Sequence, residues 1–329
     1  MGIQVTDLNL IREQLLVRRE KLEDKLARSH TANLVQLLEQ VDKALEKLDV
    51  GSYGICESCQ GEMGAQRILA DPMARVCLDC LPPAEARALE KDLELAARIQ
   101  AGLLPQADIS SNGWKISHHY EPAGLVSGDY CDVMQHGNDL YFMLGDVSGK
   151  GVAASMLMAN LHAMFRVLVP TGLPVSQLVE RANRIFCEST LPTQYATLIC
   201  GRAGQAGSVE LCNGGHLAPL HVGQNGIQAI ESSTVPVGLF CDQQFSSTHL
   251  DLAPGESLVL YTDGVTESAG PDGSEYGQQR LGTLLQRCFE RGSRQMINDC
   301  LEDLLAFRAS GQKFDDQTIM VLQFAPTQH

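Results

Sequence analysis

Two apolar runs in the last two-thirds of the chain stop at an aspartate beside a glycine. Leu140–Leu144 lead into Gly145-Asp146-Val147-Ser148-Gly149, and Leu258–Tyr261 lead into Thr262-Asp263-Gly264. Two further acidic clusters complete the set: Gly128-Asp129-Tyr130, extended by Asp132, and Asp315-Asp316 before Gln317-Thr318. Short apolar runs bounded by such residues read as buried strands that end in turns. A carboxylate at a strand end is held on a rigid element, while glycine lets backbone and ligand approach closely. Any one of these motifs is also an ordinary turn, since Asp caps and Gly supplies positive φ. Carboxylates converging from distant parts of one chain suit hard divalent cations, which take oxygen ligands. No histidine cluster competes as a metal site. The pattern predicts a metal-dependent hydrolase.

From residue 114 onward, strand-like and helix-like segments are interleaved. The spacing predicts strands at Lys115–Tyr120, Leu140–Gly145, Tyr195–Gly201, Val209–Cys212, Ala218–Val222, Ser257–Tyr261 and Thr318–Phe324. Helices are expected over 151–169, 175–190, 277–290 and 293–310. Several strands follow one another with no helix between them. That order favours an α+β fold of antiparallel sheets with helices packed outside, over a doubly wound parallel sheet.

The first fifty residues have a different character. Leu8, Ile11, Leu15, Leu22 and Leu26 recur at helical spacing, as do Leu34, Leu37, Leu38, Val41, Leu45 and Leu48. Ser29-His30-Thr31-Ala32-Asn33 between them holds capping residue types, so an antiparallel helical hairpin is expected over 1–50. A C-x2-C-x17-C-x2-C array follows, made by Cys56, Cys59, Cys77 and Cys80. Two such knuckles supply four thiolates to one Zn2+, and a closed thiolate shell makes the site structural. This zinc module is assigned to 51–82. Residues 83–105 form a linker helix whose apolar stripe is Leu89, Leu93, Ala96, Ile99 and Leu103, and the catalytic region takes 106–329.

The net charge of −15 falls mostly on the C-terminal region, which carries −11 after residue 104. An acidic region lacks the Lys and Arg that phosphate contacts need, which argues against direct nucleic-acid binding there. The charged first thirty residues contain no signal-peptide core, and no 18-residue uncharged apolar stretch suggests a membrane span. A cytoplasmic location is expected. The seven cysteines outside the array, from Cys131 to Cys300, then read as small buried hydrophobes in a reducing compartment.

Two resemblances rest on these residues. Tyr53-Gly54-Ile55-Cys56-Glu57-Ser58-Cys59, with the second knuckle Val76-Cys77-Leu78-Asp79-Cys80 and the preceding helices, resembles the DksA/TraR zinc-finger proteins. That resemblance implies a contact with RNA polymerase, which family members make through acidic residues at a hairpin tip. Here the tip is Arg28-Ser29-His30-Thr31-Ala32. Residues from about 94 to 325 resemble the SpoIIE/RsbU-like branch of the PPM serine/threonine phosphatases. The matching elements are Glu94–Gln100 with Leu103-Leu104-Pro105, Ser127-Gly128-Asp129-Tyr130, and Asp146–Gly151. Asn213-Gly214-Gly215-His216, Tyr261-Thr262-Asp263-Gly264 and Asp315-Asp316-Gln317-Thr318 follow in the family's order.

The second resemblance implies an αββα β-sandwich with two Mn2+ or Mg2+ ions at one end. It assigns Asp129, Asp146, the Val147 carbonyl, Asp263 and Asp315 as catalytic metal ligands, with Asp316 as a substitute or supporting carboxylate. It further implies a phosphorylated protein substrate, a STAS-type anti-sigma-factor antagonist, and attack by a metal-activated water. Neither Cys131 nor His216 is then needed as a nucleophile or base; His216 reads as a turn residue and Lys150 as a solvated helix start. The linker stripe predicts a homodimer or packing on the catalytic domain. Two rival readings follow from the same residues. One is a transcription-linked adaptor with an inactive phosphatase fold, and the other a sensor whose zinc thiolates respond to oxidants.

Overall fold

The computed structural model describes residues 5–28, 32–64, 67–68, 71–231, 234–289, 291–308 and 315–326. The chain divides into two compact units, Met1–Asp92 and Leu93–His329.

In the first unit, α1 (Val5–Arg28) and α2 (Ala32–Asp49) bury their stripes against each other. Ile11, Leu15 and Leu22 meet Val41, Ala44 and Leu45 in a cluster that also takes in Cys56, Met63 and Ile68. Arg12 pairs with Asp49 and Arg19 with Asp42, so one helix runs against the direction of the other. The hairpin tip Ser29–Thr31 lies outside the described residues. A long helix, α3, covers Pro83–Ala101. Of its expected apolar stripe, Leu89 and Ile99 are exposed, whereas Leu103 just beyond it packs on the core of its own unit, the second.

The second unit has four layers. A six-stranded sheet has the order β1-β2-β11-β10-β7-β8, and a five-stranded sheet the order β3-β4-β5-β6-β9. The first contains β1 (Asp108–Ser111), β2 (Trp114–Glu121), β7 (Leu220–Gly223), β8 (Gly226–Ala229), β10 (Ser257–Tyr261) and β11 (Gln317–Phe324). The second contains β3 (Asp129–His136), β4 (Asp139–Val147), β5 (Ala196–Ala203), β6 (Ser208–Gly214) and β9 (Thr248–Asp251). Every strand pair is antiparallel. This is the expected αββα sandwich.

The strand sequences explain the layering. In β4, Leu140, Phe142 and Leu144 enter the core between the sheets, while Tyr141, Met143 and Val147 face the outer core under the helices. In β11, Met320 and Leu322 point inward between the sheets, and Ile319 and Val321 point outward. Both faces are dry, so these strands are apolar without alternation. Helices α4 (Gly151–Leu168) and α5 (Val175–Ser189) cover the five-stranded sheet. On the other side, α7 (Gln278–Arg287) and α8 (Ser293–Phe307) cover the six-stranded sheet. A single turn, α6 (Asp263–Thr266), leaves the end of β10. Among the described residues, one helix, starting at Gly151, is long and apolar enough to cross a membrane. It is α4, and its Ala154, Met158, Leu161 and Phe165 are buried.

Two sequence expectations need correction. Strands β1, β3, β8 and β9 were absent from the predicted set, β3 because Asp129 and Asp132 interrupt its apolar pattern. Both are nonetheless buried, and Asp132 is neutralised by a two-point contact from Arg166 at 2.6 and 3.0 Å. The seven remaining cysteines are not all buried either: Cys187 is half-buried and Cys241 exposed.

Candidate active site and zinc module

Antiparallel pairing brings the acidic motifs to one end of the sandwich. Asp129 opens β3, and its register partner across the ladder is Asp146, one residue from the end of β4. In the other sheet, β10 ends at Tyr261 just before Asp263, and β11 begins at Gln317 just after Asp315 and Asp316; Tyr261 pairs with Ile319.

The five carboxylates are in different situations. Asp129 is 1% exposed, and its Oδ2 accepts hydroxyl protons from Thr318 at 2.5 Å and Thr262 at 3.0 Å. Burial raises its pKa well above the usual carboxylate range, and the charges of Asp146 and Asp316 add to that. The carboxyl of Asp146 is pushed up to about 7 by burial and by Asp263, Asp315 and Asp316. Asp263 is raised by burial and by Asp315. Asp315 receives the Lys150 ammonium at 2.8 Å. Asp316 spends both oxygens on backbone, accepting Ala123 N–H at 2.7 Å and Gly128 N–H at 2.9 Å.

Gly128 lies against the cluster. A Cβ there would lie 3.2 Å from the Val147 carbonyl oxygen and 3.4 Å from Asp146 Oδ1. The close approach leaves no comfortable room for a side chain. Ser127, beside it, is held by a buried amide on α3. Gln100 donates to Ser127 O at 2.8 Å and accepts Ser127 N–H at 3.0 Å.

His216 joins the two sheets beside the cluster. Its Nδ1 accepts the Thr197 hydroxyl at 2.8 Å, and its Nε2 donates to the Tyr261 carbonyl at 3.1 Å. Burial depresses its pKa to about 4, so the ring is a neutral brace. Cys131 is buried and its thiol is raised well above its ordinary value by burial, far from a nucleophile's state. Thr262, Thr318, Gln100 and Thr197 had no role assigned from sequence, although the two threonines stood inside the quoted acidic motifs.

Repelling carboxylates at one end of the sandwich form a hard-oxygen donor set, and the upward shifts of Asp129, Asp146 and Asp263 reflect charge that a divalent cation would relieve. Their oxygens are not packed around one point. Among the described residues, that holds only for Cys56, Cys59, Cys77 and Cys80, whose sulfurs all lie within 4.8 Å of one another. The first knuckle is shaped by Cys56 N–H bonding to Gly61 O at 2.9 Å and Gln60 N–H to Cys56 O at 3.0 Å. Backbone N–H groups of Cys59 and Cys77 hold the Cys56 thiol down at about 6, which favours the thiolate a metal needs. Glu57 clamps the second knuckle and α2 together through Arg75 at 2.6 Å and Lys47 at 2.7 Å. Four converging sulfurs fit tetrahedral zinc.

Residues 136–325 match the model of the Stage II sporulation protein E (SpoIIE) family, more than half of the chain. The chain belongs to the SpoIIE family. Its PPM-type domain is 24% identical to phosphoserine phosphatase RsbU of Bacillus subtilis, over 71% of this chain and 70% of that protein. Identity to protein IcfG of Synechocystis is 28%, over 70% of this chain. The chain spans 41% of the length of IcfG. Among solved structures, the RsbU and RsbW domains of Rv1364c from Mycobacterium tuberculosis align with a TM-score of 0.59 at 27% identity, over 68% of this chain and 63% of that one. The SiaA-PP2C domain of Pseudomonas aeruginosa aligns with a TM-score of 0.65 at 16% identity, over 73% of this chain and 98% of that one, which supports the fold. A separate match of 52 residues is 40% identical to the RNA polymerase-binding transcription factor DksA of Escherichia coli, covering 16% of this chain and 34% of that protein. This SpoIIE-family chain therefore carries a DksA-like zinc-finger module ahead of its PPM-type domain.

Proposed function

We propose that this SpoIIE-family protein hydrolyses phosphoserine or phosphothreonine on a regulatory protein, a STAS-type anti-sigma-factor antagonist. The observation that carries the reading is the convergence of Asp129, Asp146, Asp263 and Asp315 at one end of the sandwich. These residues and the Val147 carbonyl would hold two Mn2+ or Mg2+ ions. Divalent ions held there lower the pKa of water and polarise phosphate oxygens. The chain supplies the frame for that chemistry. Thr262 and Thr318 orient Asp129, and Asp316 fixes the 123–128 loop through its backbone. Lys150, beside Asp315, places a cation at the rim where a phosphate's charge arrives.

The zinc module is proposed as a regulatory or docking element, with one structural Zn2+ and an RNA polymerase contact of the kind named for DksA. Exposed Leu89, Leu95 and Ile99 on α3 support pairing with a second copy through the 83–105 helix.

Phosphate release from phosphoserine peptides tests the activity. Turnover should require Mn2+ or Mg2+, stop with chelator, and fall at least about 100-fold in Asp146→Asn or Asp263→Asn, since each loses a charged oxygen ligand. Wild-type turnover in either variant, or in chelator, would overturn the assignment.

A further inference from the structure

We propose that Cys187 and Cys241 form a redox modification site, a dithiol that a hydroperoxide closes to a disulfide. Cys187 lies in the last turn of α5, and Cys241 follows the loop that starts at Pro236. The loop is laid along the helix by a side chain one turn before Cys187. Asn183 accepts Gly238 N–H at 2.8 Å and donates to Phe240 O at 2.8 Å and Cys241 O at 3.2 Å. Cys187 itself donates its thiol to Gly238 O at 3.5 Å. Gly238 has φ +97°, and a Cβ there would lie 2.7 Å from the Phe186 ring, so only glycine lets the loop come this close. Cys241 is thereby laid alongside the helix turn that carries Cys187.

Other cysteine neighbours in this unit lack the second requirement, access. Cys200 and Cys212 face each other across β5 and β6 but are sealed in the core, and Cys288 and Cys300 are buried. Cys241 is exposed and Cys187 half-buried. Exposure makes Cys241 the sulfur that a peroxide reaches first, and burial pushes the half-buried Cys187 thiol up to about 11.

The chemistry balances with one peroxide. The Cys241 thiolate attacks the peroxide oxygen, the O–O bond breaks, and Cys241 becomes a sulfenic acid as the first water leaves. The Cys187 sulfur then displaces hydroxide from Cys241, forming the S–S bond, and its proton completes the second water. Two thiols are oxidised by two electrons in all, and one hydrogen peroxide is reduced to two waters. The disulfide would tie the loop permanently to α5. That loop also pairs with β5 through Val237 and Ala196, both hydrogen bonds at 2.8 Å. The next residue, Thr197, is the register partner of Asp146. A locked loop is thus joined directly to the strand beside the acidic cluster.

The test uses the full zinc-loaded chain, treated with equimolar hydrogen peroxide, alkylated and digested without reductant. Mass spectrometry should show one cross-linked peptide pair containing Cys187 and Cys241, two hydrogens lighter than its parts and separated by dithiothreitol. Tm should rise by about 5 °C, because the bond constrains a long loop of the unfolded chain. Cys187→Ser and Cys241→Ser should each abolish the cross-link and the rise while zinc content stays at the parent level. Recovery of both cysteines in separate peptides, whether alkylated or over-oxidised, would overturn the proposal. So would a cross-link from either one to a zinc-module cysteine. Neither result bears on phosphatase activity.

Discussion

The Asp316 carboxylate accepts the backbone N–H of Gly128 at 2.9 Å, across 188 residues of sequence, and its other oxygen holds Ala123. One side chain therefore sets the path of the loop that leads into Asp129. Asp316→Asn keeps one acceptor but turns an NH2 group toward a backbone N–H. We expect a loss of about 1.5–3 kcal/mol in urea denaturation, the usual size for hydrogen bonds to a charged group. Unchanged stability would refute the positioning role.

Gln100→Ala removes both partners of the buried Ser127 backbone. Leaving a buried N–H and C=O unsatisfied costs about 1–3 kcal/mol, and the loss should appear in the same denaturation experiment. Gln100→Glu retains the acceptor but loses the donor, so it should restore at most part of the stability. A Glu variant as stable as the parent would show that the donated bond contributes nothing.

His216 gives the fold a defined acid sensitivity. Its folded pKa is about 4, against about 6.5 for an unperturbed histidine. Between these values the unfolded chain binds a proton that the folded chain does not. Stability therefore rises with pH through that window and is lost as pH falls from about 6.5 to 4, by up to about 3 kcal/mol. His118, also depressed to about 4 by burial, acts in the same direction. His216→Gln should lower stability at pH 7 and flatten the slope between pH 4 and 6.5. Parallel curves for parent and variant would sink this account.

Purified without added metal, the reduced protein should carry one tightly held zinc per chain by elemental analysis. Cys56→Ser should lose it and unfold the first unit, because zinc binding supplies much of the folding free energy of so small a module. Less than half an equivalent in the parent protein would count against the site.

Much of this architecture was written in local pattern. Runs such as Leu140–Leu144 and Leu258–Tyr261 had to be strands with both faces buried, and the cysteine spacing had to bring two knuckles together. The acidic motifs marked the strand ends that antiparallel pairing then gathered. What local pattern could not show were relationships whose partners lie far apart in the chain. Asp132 disguised β3 as a polar stretch until Arg166, 34 residues on, neutralised it. His216 looked like a turn residue, yet its ring spans two sheets from Thr197 to Tyr261. The exposure of Cys241 followed from where Asn183 pinned its loop, not from its neighbours in sequence. Hydrophobic period and ligand spacing are properties of adjacent residues, so the sequence alone determined the layers and the four-cysteine array. Burial and pairing of polar groups depend on what the folded chain brings alongside, and only the tertiary structure decided those.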